Sequence, residues 1–150
     1  MASLKEDIPV YANRIAAALI SEGYKIDFSI HSLLQLDQFF ELHSKDGKAL
    51  EGGRLSFDIG PTLFSLGCYI GEVLITHIPG AEWVTDDNDP QGDFNAMVKF
   101  PDGSVCWPMQ RAIKRFKNGL SDAIYPYAYE VAEIYIKEPF DQRFWELKNE

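Results

Sequence analysis

The sequence predicts an α+β fold, with helices gathered around one apolar central helix and packed on a small antiparallel sheet. Three observations lead there. Apolar residues recur at helical spacing before Pro79 and again after Pro108. Between them, after Pro79-Gly80, the pattern changes to short strand-like runs, with Pro101-Asp102-Gly103 as a turn. The chain of 150 residues is 46% hydrophobic and 13% aromatic, ample for a core and the size of one domain. No repeat, low-complexity tract or Pro/Gly/Ser linker divides it.

A first helix is expected from Ile8 to Glu22. Tyr11, Ile15, Ala18 and Leu19 share one face, Asp7 offers an N-cap, Pro9 falls in the first turn and Gly23 supplies a left-handed stop. Tyr24 to Phe28 reads as an extended linker or edge strand. A second helix begins between Ser29 and Ser32, where Ser32 and Gln35 have capping-box spacing, and Leu33, Leu36 and Phe40 form its stripe. The polar stretch 44–54 is a loop punctuated by Gly47, Gly52 and Gly53.

The third helix runs from Pro61 or Thr62 to Thr76 and is apolar nearly all round, as a helix buried on most sides is. Gly67 and Gly71 lie one turn apart and leave a face without side chains, open to another backbone. The apolar run 59–78 is long enough to span a bilayer. Glu72 within it opposes that reading, because a carboxylate at mid-membrane costs about 2.5 kcal/mol or more. The expectation is a core helix and no membrane.

Strands are expected at Glu82–Thr85, Phe94–Phe100 and Ser104–Trp107. Pro108 opens a basic helix to Lys117, closed by Asn118-Gly119. Beyond it, Ser121 or Asp122 can cap a further helix in which Pro126 forces a kink or a start, with Tyr127, Val131, Ile134 and Tyr135 at helical spacing. Pro139 opens a last helix with Phe140, Phe144 and Leu147 on one face.

Charge and chemistry narrow the function. Lys+Arg number 14 and Asp+Glu 23, so the net charge is 14 − 23 = −9, which repels phosphate and argues against nucleic-acid binding. The N-terminal residues lack the basic and apolar regions of a signal peptide, and Cys68 and Cys106 read as buried free thiols. Together these point to a cytoplasmic protein. His31, His43 and His77 form no helical metal pair, Ser65 lacks the first glycine of a nucleophile elbow, and no phosphate-cradling glycine motif is present. No cofactor and no catalytic set is expected.

Residues 82–93 hold Glu82, Asp86, Asp87, Asp89 and Asp93 with no Lys or Arg, a local sum of −5. Asp87, Asp89, Gln91 and Gly92 match calcium-loop positions, but the twelfth is Val98 instead of a bidentate glutamate. The alternatives are a solvated loop or a contact surface for a basic partner. Residues 111–117 are the opposite, with Arg111, Lys114, Arg115 and Lys117 and no acid. The first three lie on one helical face, expected to be solvated or paired within the chain. Glu72 is the lone charge between Asp58 and Glu82. It either faces water with Ser65 and Thr76 or is half-buried and paired with Lys114 or Arg115.

Gly67-x-Tyr69-x-Gly71-Glu72, then Trp83, Pro101-Asp102-Gly103, Pro108, Lys114 and Asn118-Gly119-x-x-Asp122 resemble a family of small uncharacterised bacterial proteins, a domain of unknown function. The resemblance covers about residues 60–125 and carries no activity. Trp107 stands where the family pattern has a small polar residue before the proline. The resemblance implies a bacterial, cytoplasmic α+β domain with Glu72 and the basic helix in its shared core.

The resulting expectation is a non-enzymatic binding module, a protein-interaction or immunity-type domain presenting Asp86, Asp87 and Asp89 to a basic partner. The alternative is a small-ligand pocket between the central helix and the sheet, lined by Glu72, Trp83, Trp107 and Lys114; Arg111 and Arg115 complete the set of ligand- or partner-binding candidates.

Overall fold

The structure, a computed structural model, describes residues 3–148. Among them are seven α-helices, a two-stranded and a three-stranded antiparallel sheet, an α+β arrangement in which helices dominate.

Helix α1 (Leu4–Ser21) starts one turn earlier than its sequence suggests, because Ser3 is the N-cap and its hydroxyl accepts from the Glu6 N–H at 3.3 Å. Pro9 therefore lies in the second turn. The buried stripe is Ile8, Ala12, Ile15, Ala16 and Leu19, while Tyr11 stays partly exposed, edge-on to Phe64. Gly23, at φ +97°, closes the helix with the two characteristic bonds, Gly23 N–H to Ile20 O and Tyr24 N–H to Leu19 O. The segment to Phe28 is not a strand.

Helix α2 (Ser32–His43) has no capping box. The Ser29 hydroxyl accepts from the Ser32 N–H, and Gln35 instead accepts from the Lys25 N–H. The expected loop after it contains a hairpin, β1 (Ser44–Lys45) and β2 (Lys48–Ala49), turned by Asp46-Gly47, both at positive φ. Asp-Gly suits this two-residue turn, whose twist matches that of the strands.

Helix α3 (Ile59–His77) is the central element. It meets the apolar-length test for a membrane span, but half of that window is buried among the other helices. α1 packs along it, as does α5 (Pro108–Asn118). The two glycines explain the fit. A Cβ at Gly67 would come within 2.5 Å of the Met109 Cα, and one at Gly71 would collide with the Trp83 ring.

Strands β3 (Glu82–Val84), β4 (Met97–Lys99) and β5 (Val105–Cys106) form the second sheet in that order, with Trp83 opposite Val98 and Val98 opposite Cys106. β4 begins three residues later than expected, because Gly92–Asn95 is a helical turn, α4. The Pro101-Asp102-Gly103 turn is present, with Gly103 at φ +90° and Phe100 N–H donating to Ser104 O at 2.8 Å.

After α5, Asn118 and Asp122 are joined by a 2.6 Å side-chain bond across a short 3-10 turn. Helix α6 (Ile124–Ala132) then starts, with Pro126 harmless in its first turn. It buries Tyr125 and Ala128 in place of the stripe read from Tyr127, and Ile134 is 84% exposed because the α-helix ends at Ala132. Helix α7 (Phe144–Lys148) starts at Phe144, well after Pro139. Phe144 is buried, and Phe140 stacks on Tyr125 at 4.9 Å.

Candidate functional site

Three groupings account for the charged and aromatic residues picked out by the sequence. The first is structural. Arg115 does not share the solvated face of Arg111 and Lys114; it is 1% exposed. Its Nε donates to Asp37 Oδ1 at 2.7 Å, and its Nη2 donates to Asp37 O and to Glu41 Oε1. Asp37 also accepts from the backbone N–H of Ile124 and Tyr125, the first two residues of α6. One buried carboxylate thus pairs a guanidinium and caps a helix from another segment. Burial pushes the Asp37 carboxyl up, and Arg115 and the two amides oppose that. The alternative in which Arg115 pairs with Glu72 is therefore corrected: α2, through Asp37 and Glu41, holds it.

Glu72 is half-buried and paired with neither Lys114 nor Arg115; its Oε2 accepts from Trp83 Nε1 at 2.9 Å. Trp83 itself is buried over Gly71. This pair ties β3 to α3. The indole supplies a donor to a carboxylate that still reaches solvent.

The second grouping is a cavity of about 250 Å³ between α3, β5, α5 and α6. Trp107 and Lys114 both line it, with Arg111 beside them, whereas Glu72 and Trp83, expected in the same pocket, are not in its lining. Arg111 lies 4.1 Å from the Tyr127 ring centroid and 3.7 Å from Asp122. Cys106 and Tyr127 both line the wall; burial pushes the thiol up to about 11 and the phenol up to about 12. Cys68, in the core, is pushed up to about 12. Both thiols therefore stay protonated near neutrality, and a thiol so held is a poor nucleophile.

The third grouping is the acidic loop and what lies beside it. Asp86 accepts from the Asn88 N–H, Asp89 from the Gln91 N–H and the Asn95 amide, and Asp87 from the Leu4 N–H at the start of α1. The Asn95 amide and the Gln91 N–H hold the Asp89 carboxyl below its ordinary range. These carboxylates turn onto amides instead of converging on one point, and Val98, the twelfth position, is buried in β4. The contact through Leu4 brings the loop to a groove of about 380 Å³. Leu4, Tyr11, Pro61, Phe64 and Phe94 form its floor, and Asp7 and Asp93 are the charged groups of its lining.

The histidines are fasteners. His31 Nε2 bonds Pro139 O and His77 Nε2 bonds Phe28 O, while His43 packs on Phe39. Sequence reasoning missed Asp37, although it is the one charge among Leu33, Leu34, Leu36, Phe39 and Phe40 on α2. It also missed the groove, whose floor comes from three distant segments with no shared motif.

Comparison with protein-family models, with curated proteins and with solved structures finds no match for this chain.

Proposed function

We propose that the protein is a non-enzymatic interaction module that takes a basic, amphipathic segment of a partner protein into the groove beside the acidic loop. The observation that carries this reading is the pairing of an apolar floor with acidic rims. Leu4, Tyr11, Pro61, Phe64 and Phe94 offer apolar area, Asp7 and Asp93 border it, and Asp86, Asp87 and Asp89 extend the negative field beyond it. A segment with leucine-like side chains on one face and lysine or arginine on the other complements both features. The charges would steer its approach and the floor would hold it. An immunity-type role, masking a basic protein, is one biological form of the same chemistry.

The test is an NMR titration with a helical peptide carrying leucine on one face and lysine on the other, beside the same peptide with glutamate for lysine. Shifts should concentrate at Leu4, Tyr11 and Phe94, weaken with salt, and be lost in Asp7→Lys with Asp93→Lys. Equal binding by that variant, or shifts scattered away from the groove, would reject the reading.

A further inference from the structure

We infer that the cavity between α5 and α6 is a binding site for a small organic anion, an oxyanion head on an apolar body, recognised by Arg111 and Lys114. The site is separate from the groove proposed above and does not depend on it.

Charge is the first reason. Arg111 and Lys114 stand one turn apart on α5 and both reach this cavity. Two like charges at that spacing repel each other. Asp122 answers Arg111 only loosely, at 3.7 Å, and among the described residues Lys114 has no ion-pair partner. In a chain of net charge −9, two cations at one concavity answered by a single acid at 3.7 Å are the exception. An anion entering it would relieve the repulsion and gain two charge-assisted partners.

Preorganisation is the second. The Tyr127 ring lies under the Arg111 guanidinium at 4.1 Å, which fixes a group whose planar fork suits carboxylate or phosphate oxygens. Less rotamer freedom is then lost when a ligand binds. The wall adds no competing negative charge, since it holds no Asp or Glu and burial keeps the Cys106 thiol and the Tyr127 hydroxyl protonated near neutrality.

Shape is the third. Ile70, Val105 and Pro108 give the cavity an apolar side, and Trp107, 44% exposed, stands at it with no described ring packed against its own. An exposed indole beside two cations can cover the body of a ligand whose head the cations hold. A free inorganic anion would leave that side unused.

The experiment follows the indole and backbone N–H signals of 15N-labelled protein during titration with sodium benzoate, phenyl phosphate, inorganic phosphate and neutral benzamide at constant ionic strength. The expected result is saturable shifts at Trp107 and along α5 with benzoate or phenyl phosphate, the tighter of the two identifying the head. The Trp83 indole, tied to Glu72, should not move. Lys114→Gln, which removes an exposed side chain, should weaken binding at least tenfold, and Arg111→Gln more. Lys117→Gln, an equal charge loss on the same helix outside the cavity, should bind as the parent does. No saturation, equal binding of benzamide, or equal loss in the Lys114 and Lys117 variants would overturn the proposal. Binding of inorganic phosphate as tight as phenyl phosphate would overturn its apolar half.

Discussion

Charge is concentrated in two places in this molecule, and water treats them differently. At the junction of α2, α5 and α6, Asp37 and Arg115 are both sealed from solvent, and every contact they make is geometric and close: 2.7 Å between the charged atoms and about 3 Å to each capped amide. In the segment 82–93, five acids have no Lys or Arg among their own residues and sit mostly in water, with Lys99 opposite Glu82 in the sheet. Removing an ion from water costs several kcal/mol, so the buried pair exists only because its partners are all in place. Repulsion between solvated acids is about 1 kcal/mol per pair at 4 Å and fades beyond about 8 Å. The loop can therefore hold its charges ready for another molecule, whereas the junction uses its charges up in holding three helices together.

The strongest way to break this contrast is at the junction. Asp37→Ala should destabilise the fold by about 3–5 kcal/mol in denaturant titration, because it strands Arg115 and uncaps α6 together. Replacing both Asp37 and Arg115 by apolar residues should cost less than the sum of the single changes. A loss below about 1 kcal/mol in Asp37→Ala would show that the pair is solvated after all.

pH separates the two regions next. Two weak acids buried on α3 are kept neutral, unlike Asp37 at the junction: Tyr69, whose hydroxyl accepts from the Phe28 N–H, is pushed up to about 12, and Cys68 likewise. The unfolded chain releases these protons from ordinary values of 10.0 and 9.0. The folded state thus binds more protons above that range. Stability is full below about pH 9 and falls as pH rises, by about 1 kcal/mol from Tyr69 by about pH 11. The loop behaves oppositely, since Asp89 is held below its ordinary range and stays ionised into mild acid. Tyr69→Phe should flatten the alkaline fall seen in thermal melts; an unchanged slope would remove Tyr69 from the explanation.

How much of this was legible follows from where each signal lies. α3 and α5 could be read because their evidence is local: an apolar run with Gly67 and Gly71, and Pro108 followed by a basic period closed by Gly119. The Pro101-Asp102-Gly103 hairpin was equally local. Arg115 was misread because helical spacing groups it with Arg111 and Lys114, while its burial depends on Asp37, 78 positions away. α6 was misread for the same reason, its cap coming from α2. The groove depends on Leu4, Phe64 and Phe94 meeting, which only tertiary structure arranges. Trp107 and Lys114 could be grouped from sequence because the eight residues from 107 to 114, one strand end and the helix after it, carry both, with Arg111 between them.

Glu72 lies between the two extremes, half-buried with one neutral donor. Glu72→Gln keeps an oxygen for the Trp83 indole and should cost less than about 1 kcal/mol, whereas Glu72→Leu leaves that buried N–H unpaired and should cost about 1–3 kcal/mol. Equal losses in the two variants, measured by chemical denaturation, would mean that the charge matters and the hydrogen bond does not.

The smallest stability effect is expected in the loop, where Asp86→Asn with Asp87→Asn tests whether its charge serves a partner. Each asparagine keeps a carbonyl oxygen for the amide its aspartate now satisfies, Asn88 N–H in one case and Leu4 N–H in the other. Two charges are lost, taking the chain from −9 to −7. Stability should stay within about 0.5 kcal/mol of the parent, as for surface changes that break no specific contact. Millimolar calcium should leave the melting temperature unchanged, because the carboxylates point at separate amides. The association rate of the leucine–lysine peptide, followed by stopped flow, should fall in the double variant and become less steep in salt, since steering depends on the summed field. Rates identical in parent and variant, and equally indifferent to salt, would leave the loop with solvation as its only role and confine recognition to Asp7, Asp93 and the apolar floor.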